Sequence, residues 1–269
     1  MSKRLVALSL CSAVLVGCGS GSDSSFKVNE YSISEYEGRA VNTETLAGTW
    51  VAVGTGSISS SKGSANLAFK EYFVIRETLE GYEQARCEYG FEPLMLSGNE
   101  YSTKYESDYS DELTGTVANN SQITGSGEII LYGSTTSTNF FAVKISNDVT
   151  SLGKLSLNVS QAGEVEQSSV DLYCAHQANV SGNLNDSGDI TTEQYEFSDE
   201  SDRALLIDKT TGAVPNTWFD GHLNFDTENG DSVNFEVVGE TALTLNMSIS
   251  GSSDYQSGTG TVTIQLPVQ

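Results

Sequence analysis

The chain has 269 residues, with 13 basic and 36 acidic side chains, giving a formal net charge of −23 at pH 7. A surface this acidic repels the phosphates of nucleic acids and anionic lipid headgroups, so a nucleic-acid partner is excluded. There are only two histidines, His176 and His222, and no H-E-x-x-H or G-x-S-x-G motif. Zinc and serine-triad chemistry are therefore disfavoured, and we predict no cofactor and no catalytic residue.

The N-terminal segment is organised as an export signal. Met1-Ser2-Lys3-Arg4 is cationic, and Leu5 to Val16 is an apolar run broken only by Ser9, Cys11 and Ser12. That run is shorter than the about 20 apolar residues that span a bilayer, but it has the length of a signal-peptide core. Residues 1–17 are therefore predicted to be removed on export.

The segment ends in Leu15-Val16-Gly17-Cys18, which resembles the lipobox of bacterial prolipoproteins. The resemblance implies cleavage before Cys18 and attachment of acyl chains such as palmitate to that residue. Gly19 follows, where an aspartate often retains such lipoproteins in the inner membrane, so the resemblance implies lipid anchoring in the outer membrane. Whether the body faces the periplasm or the outside stays open. An ordinary secretory signal cut near Gly17 is the alternative.

Residues 18–44 are predicted to form a lipidated flexible tether. Gly19 to Ser25 is rich in glycine and serine, and the chain stays polar and acidic up to about Glu44. Loss of Lys3 and Arg4 with the signal leaves 11 basic and 36 acidic residues, a net charge of −25. This acidity is typical of solubility or of adaptation to salty water.

Residues 45–269 are predicted to form an all-β body. Leu67, Phe69, Phe73 and Ile75 share one parity, whereas Lys70, Tyr72 and Arg76 share the other, which indicates a strand with one buried and one wet face. About a dozen short strands of this kind predict an antiparallel β-sandwich or barrel. The best helix candidate, Asp199 to Ile207, would form one or two turns at most. Two related halves would divide near 146–153.

Several strand pairings can be predicted. Glu128 to Tyr132 and Phe140 to Ile145 are expected to form a hairpin, and Leu243 to Ile249 should pair with Val262 to Val268. Alternation from Val170 to His176 predicts one strand with Cys174 pointing inward. The apolar residues on either side of Glu228-Asn229-Gly230 predict a hairpin with a three-residue loop, which sets Leu223 opposite Phe235.

Cys87 and Cys174 are the two cysteines left once Cys11 is removed and Cys18 is acylated. In an oxidising compartment a pair of thiols usually bonds, so a Cys87–Cys174 disulfide is predicted. A bridge closing so long a loop adds on the order of 4–5 kcal/mol to stability on the chain-entropy account. Two buried, reduced cysteines are the alternative.

Acidic clusters raise the question of calcium. Asp226, Glu228 and Asp231 are weak candidates for Ca²⁺ ligands, because Ca²⁺ needs several converging carboxylate and carbonyl oxygens. None of the clusters has the twelve-residue EF-hand spacing, and acidic residues at a hairpin tip are ordinary turn chemistry. The plainer interpretation is a solvated loop, and no other metal site is predicted.

Gly48-Thr49-Trp50 resembles the G-x-W signature in the first strand of lipocalins. The resemblance implies a barrel with an apolar cup for a small ligand, whereas the residues alone suggest a core aromatic at Trp50. The chain departs from the lipocalin pattern in three ways. Ser107-Asp108-Tyr109 is a partial match to the family's T-D-Y-like motif. Lipocalins have a late arginine that packs on the tryptophan, and Arg203 is the only late arginine here. The chain is also long for one lipocalin barrel.

The sequence as a whole favours a lipid-anchored envelope lipoprotein with a non-enzymatic binding or structural β-domain, whose partner would be an envelope protein or a small molecule. The alternative is a hydrolase of envelope glycans or lipids that uses a pair of carboxylates. With 36 acidic residues, the sequence nominates no pair.

Overall fold

A computed structural model describes much of the body of the protein. The described residues are 40–41, 44–87, 90–106, 110–131, 134–161, 164–183, 190–200, 204–208, 218–219, 223–224, 232–238, 243–250 and 258–264. Cys18 and the calcium candidates Asp226, Glu228 and Asp231 lie outside them. Within these ranges there is no helix that could span a membrane.

The described residues form strands and no helix, which confirms the predicted all-β class. The strands in chain order are β1 (Gly48–Ser60), β2 (Gly63–Thr78), β3 (Gly81–Arg86), β4 (Gly90–Ser97), β5 (Glu100–Glu106), β6 (Ser110–Ala118), β7 (Gln122–Leu131), β8 (Ser134–Ser146), β9 (Gly153–Gln161), β10 (Glu164–Leu172), β11 (Cys174–Asn183), β12 (Ile190–Ser198), β13 (Ala204–Asp208), β14 (Trp218–Phe219), β15 (Leu223–Asn224), β16 (Ser232–Val238), β17 (Leu243–Ser250) and β18 (Gly258–Ile264).

The first eight strands close into an antiparallel barrel. Each pairs with the next along the chain, and β1 pairs with β8 as well as with β2. The predicted hairpin is confirmed as β7–β8, but its register is not the predicted one. Glu128 to Leu131 pair with Ser134 to Ser137, which were predicted to be a loop, and Phe140 lies opposite Gly125. Of the two predicted architectures, the barrel is the one that forms. Closure leaves no free edge between β1 and β8.

One edge of β2 is shared between two partners. Ile75 to Thr78 pair with β3, whereas Ser64 to Phe73 pair with β11, which continues the sheet into β12 and β13. We call this branch point the fork. Cys87 immediately follows β3 and Cys174 begins β11, and the two form a disulfide with a Cα–Cα distance of 5.0 Å. The predicted disulfide is confirmed, and it ties the two arms of the fork together.

A second, five-stranded sheet has the order β10-β9-β18-β17-β16, and β14 pairs with β15. Leu245 lies opposite Val262, which confirms the predicted pairing of these two C-terminal runs. The prediction of a hairpin with Leu223 opposite Phe235 is wrong. Leu223 pairs with Phe219, and Phe235 pairs with Met247 on β17.

Two further predictions need correction. The alternation from Val170 to His176 is not one strand, because the strand breaks at Tyr173, so that β10 belongs to the second sheet and β11 to the first. Ala204 to Ile207 form part of β13, paired with β12, and not a helix. In the second case, pairing along an available strand edge overrode local helix propensity.

Two apolar clusters fill the body. The larger surrounds Trp50, Phe73 and Ile75 at one end of the barrel and reaches Leu152, Leu155 and Leu172 near the second sheet. The smaller contains Ile58, Ala65, Leu67, Phe69, Ala178 and Val180. The predicted inward parity of β2 is confirmed, but its other face is not wet throughout. Tyr72 is only 8% exposed and belongs to the larger cluster, so that face is covered too.

Candidate functional site: a cavity inside the barrel

A cavity of about 110 Å³ lies inside the barrel, beside the fork. Strands β1 to β3, β5 to β8, β11 and β12 contribute to its wall. The apolar lining residues are Ala52, Leu67, Phe69, Phe73, Leu113, Ile129 and Phe140. The polar lining residues are Glu71, Gln84, Arg86, Tyr101, Thr136, Thr138, His176 and Glu196, and Cys87 of the disulfide also lines the wall.

Trp50 lies behind this wall and does not line the cavity. Its ring is fully buried and stacks on Phe73, with the ring centroids 6.3 Å apart. The indole Nε1 donates a hydrogen bond of 3.0 Å to the Leu46 carbonyl oxygen. Trp50 therefore fixes the preceding segment across this end of the barrel, which we call the Trp50 end.

Lys144 completes the Trp50 end. It lies opposite Trp50 on β8, its side chain is fully buried, and Nζ donates a hydrogen bond of 2.8 Å to the Thr45 carbonyl oxygen. Burial lowers the pKa of its ammonium group to about 8. The sequence contains a signal for this buried lysine, because Lys144 has the same parity as Phe140 and Ala142. A single lysine in a strand, however, usually marks a position that faces solvent.

Two aromatic rings occupy space that glycines leave in the wall. A Cβ atom on Gly54 would lie 2.4 Å from the Phe69 ring, and one on Gly125 would lie 2.5 Å from the Phe140 ring. The rings therefore lie directly against the barrel backbone. Phe69 belongs to the smaller cluster and Phe140 packs against both clusters, so aromatic surface runs along the cavity between them.

Glu71 and His176 form the polar centre of the cavity. They lie opposite each other on β2 and β11, and the carboxylate Oε2 is 3.0 Å from the imidazole Nδ1. Their side chains are 20% and 18% exposed, so both can be reached by solvent. His176 also stacks on Phe69, with centroids 5.4 Å apart. The imidazole of His176 is therefore held between a carboxylate and an aromatic ring.

Glu196 extends this polar row. It lies opposite His176 on β12, so Glu71, His176 and Glu196 share one face of three neighbouring strands. The sequence could have revealed Glu71, because it has the inward parity of Phe69 and Phe73. Its meeting with His176 and Glu196 depends on the fork, which no local pattern shows.

Arg86 and Asp111 form a buried ion pair beside the cavity. Arg86 Nη2 donates to Asp111 Oδ2 at 2.6 Å, and Nη1 donates to the Thr103 hydroxyl at 3.4 Å. Asp111 is fully buried, and its Oδ1 has no hydrogen-bond partner within the described residues. Such an atom normally has a partner, because an unpaired buried acceptor costs stability.

Burial shifts the pKa of two further groups near Arg86. Tyr101 donates a hydrogen bond to Gln84 Oε1, and burial raises the pKa of its phenol well above the ordinary value. Burial likewise raises the pKa of Glu92, while the nearby positive charge of Arg86 opposes that rise. The interior therefore combines a low-dielectric wall with several ionisable groups. No cluster suited to a metal ion occurs within the described ranges.

Comparisons with known proteins add little. No family model matches the chain, and no curated protein matches its sequence. A crystal structure of a protein assigned as AttH from Nitrosomonas europaea is similar, with 8% identity over 88% of this chain and 97% of that one. Its TM-score is 0.20, which is too low to support any conclusion about fold or function.

Proposed function

We propose that the protein is a lipid-anchored envelope lipoprotein whose barrel binds a small, partly apolar molecule without catalysing a reaction. The observation that carries the proposal is the cavity, which combines apolar walls with a few converging polar groups, as ligand sites do. At about 110 Å³ it is somewhat smaller than an apolar cavity of roughly 150 Å³ that accepts benzene. A ligand group of about five non-hydrogen atoms fits that space.

A lipocalin-like carrier is the particular form of this proposal. Gly48-Thr49-Trp50 begins the first strand of an eight-stranded barrel, and the cationic residue opposite Trp50 is Lys144 on the eighth strand. The barrel ends at Ser146. Two of the departures noted in the sequence, its length and Arg203 as its only late arginine, therefore weigh less against the resemblance.

Filling the cavity tests the binding proposal. Ala52 points into the cavity from β1, so Ala52→Leu should occupy the space and abolish binding. Isobutanol is a probe of suitable size, and saturation-transfer NMR detects weak binding to the full chain in maltoside micelles. Thr55→Leu is the matched control, because Thr55 is exposed on the same strand. Equal transfer in wild type and Ala52→Leu would mean that the alcohol contacts only the micelle or the surface.

The anchor has a separate test. Cys18→Ser should abolish palmitate labelling and release the protein from the membrane fraction, because Cys18 is the predicted acylation site. Cys11→Ser is the control, since Cys11 would leave with the signal peptide and its loss should change neither readout. Palmitate labelling of the Cys18→Ser protein would contradict the proposed anchor.

A hydrolase remains the second candidate, and one observation favours it. Glu71 on β2 and Glu196 on β12 both line the cavity, and β11 lies between their strands. Two strand spacings place their Cα atoms roughly 10 Å apart. Against it, Glu71 is already paired with His176, and the cavity is too small for a sugar ring with its leaving group. Hydrolysis of nitrophenyl glycosides or esters that is lost in Glu71→Gln would favour the hydrolase.

A further inference from the structure

Negative charge exceeds positive charge around the cavity. The carboxyl groups on the interior face or lining the cavity belong to Glu71, Glu92, Asp111 and Glu196, and the basic side chains there are Arg86 and His176. These four carboxyl groups outnumber the guanidinium and the imidazole together. The other inward cation, Lys144, lies at the Trp50 end and donates to the Thr45 carbonyl. A bound anion would add to this imbalance, whereas a cation would reduce it.

The guanidinium is not available for an anionic ligand. Arg86 contacts Asp111 at 2.6 Å and Thr103 at 3.4 Å, and its side chain is only 10% exposed. The second oxygen of Asp111 has no partner among the described side chains. Arg86 is therefore already paired with a buried carboxylate, whose second oxygen lies outside the cavity lining.

The walls also suit a positive charge. Phe69, Phe73, Phe140 and Tyr101 line the cavity, and Phe69 already stacks on the His176 imidazole. Aromatic rings attract cations through the negative charge of their faces, more strongly where water is excluded. Carboxylates beside aromatic rings are therefore a combination that favours an ammonium group over a neutral or anionic one.

We propose that the ligand of this cavity is a small organic cation, an alkylammonium compound whose charged end lies near Glu71 and Glu196 and whose apolar end lies against Phe69 and Phe140. The inference rests on the proposed binding function and specifies its ligand class. The Glu71 carboxylate can accept from an ammonium group while it stays paired with His176, because a carboxylate has about four acceptor sites.

Three probes with one carbon skeleton test the ligand class. Isobutylammonium, isobutanol and isobutyrate differ in charge but little in size, and each is titrated into the full chain in maltoside micelles at constant ionic strength. The signal from Ala52→Leu supplies the background for binding outside the cavity. We expect the cation to bind about tenfold more tightly than the alcohol, and the carboxylate to bind more weakly than either.

Charge-neutral variants locate the effect. Glu71→Gln and Glu196→Gln should each weaken isobutylammonium binding severalfold and leave isobutanol binding unchanged, because only the charged interaction is lost. Glu77→Gln is the control, since Glu77 is exposed at the far end of the same strand as Glu71. A cation preference that survives in both cavity variants would overturn the assignment of Glu71 and Glu196.

The outcomes separate the two proposals. If isobutanol or isobutyrate binds as tightly as isobutylammonium, the cation class is wrong while cavity binding stands. If none of the three probes exceeds the Ala52→Leu background, the proposed binding function itself fails. Preference for the cation, lost in Glu71→Gln and kept in Glu77→Gln, supports both.

Discussion

The Trp50 end and the cavity are made from the same strands but are built differently. At the Trp50 end, rings and aliphatic side chains fill the space, and the two polar groups, the indole N–H and the Lys144 ammonium, each donate to a backbone carbonyl. Two residues further along each strand, at Ala52 on β1 and Glu71 on β2, the barrel is built differently. Here polar side chains pair with one another, and a cavity remains between the strands. The difference separates a packed end of the barrel from the cavity to which we assign the proposed binding.

The largest expected effect concerns the fork. The Cys87→Ser/Cys174→Ser variant loses a bridge between residues 87 apart, so its free energy of unfolding should fall by about 4–5 kcal/mol. Urea denaturation measures the loss, and hydrogen exchange should rise more in β11 than in β1. A reducing agent should reproduce the effect in wild type and do nothing to the variant. A loss below about 1 kcal/mol would mean that strand pairing alone holds the fork.

The second effect compares the two regions directly. Trp50→Ala should lower the free energy of unfolding by about 3–5 kcal/mol, because it leaves a large hole in packed surroundings. Leu67→Ala should cost about 2 kcal/mol, at the low end for such a change, because Leu67 already borders empty space. Denaturation curves measured under one set of conditions provide the test. Equal losses would remove the distinction between the Trp50 end and the cavity.

The smallest effect is a pH dependence at the Trp50 end. The pKa of Lys144 is lowered from the ordinary 10.5 to about 8, so between these values the unfolded chain holds a proton that the folded chain releases. Stability should therefore rise with pH, by about 1–2 kcal/mol between pH 7 and 9.5. Lys144→Met should lack this rise, and the difference between the two curves cancels other titrating groups. Parallel curves would contradict a buried, weakly basic lysine.

The sequence predicted what depends on local pattern. Strand alternation and glycine-rich turns are enough to predict an all-β body. The Cys87–Cys174 bridge follows from counting the cysteines that remain in the predicted oxidising compartment. The helix predicted at Asp199 to Ile207 failed, since Ala204 to Asp208 pair with a strand edge that only the folded sheet provides.

The candidate site depends on contacts that are distant in sequence. Glu71 and His176 are 105 residues apart, and they meet because β11 takes over an edge of β2 that β3 leaves unpaired. Arg86 on β3 and Asp111 on β6 lie on strands that are not neighbours, and they meet across the barrel interior. The alternation of β2 places Glu71 on the inward face with Phe69 and Phe73, but the partners of Glu71, Arg86 and Asp111 follow only from the strand order.

The fork also governs how the protein can be divided. The barrel strands end at Ser146, which suggests a convenient place to cut, yet Ser64 to Phe73 of β2 are hydrogen-bonded to β11 from beyond that point. A fragment without β11 would expose ten residues of unpaired strand edge, and such edges recruit strands from other molecules. The first eight strands are closed as a barrel but not self-sufficient as a folding unit, and self-association of the fragment is the expected result of separating them.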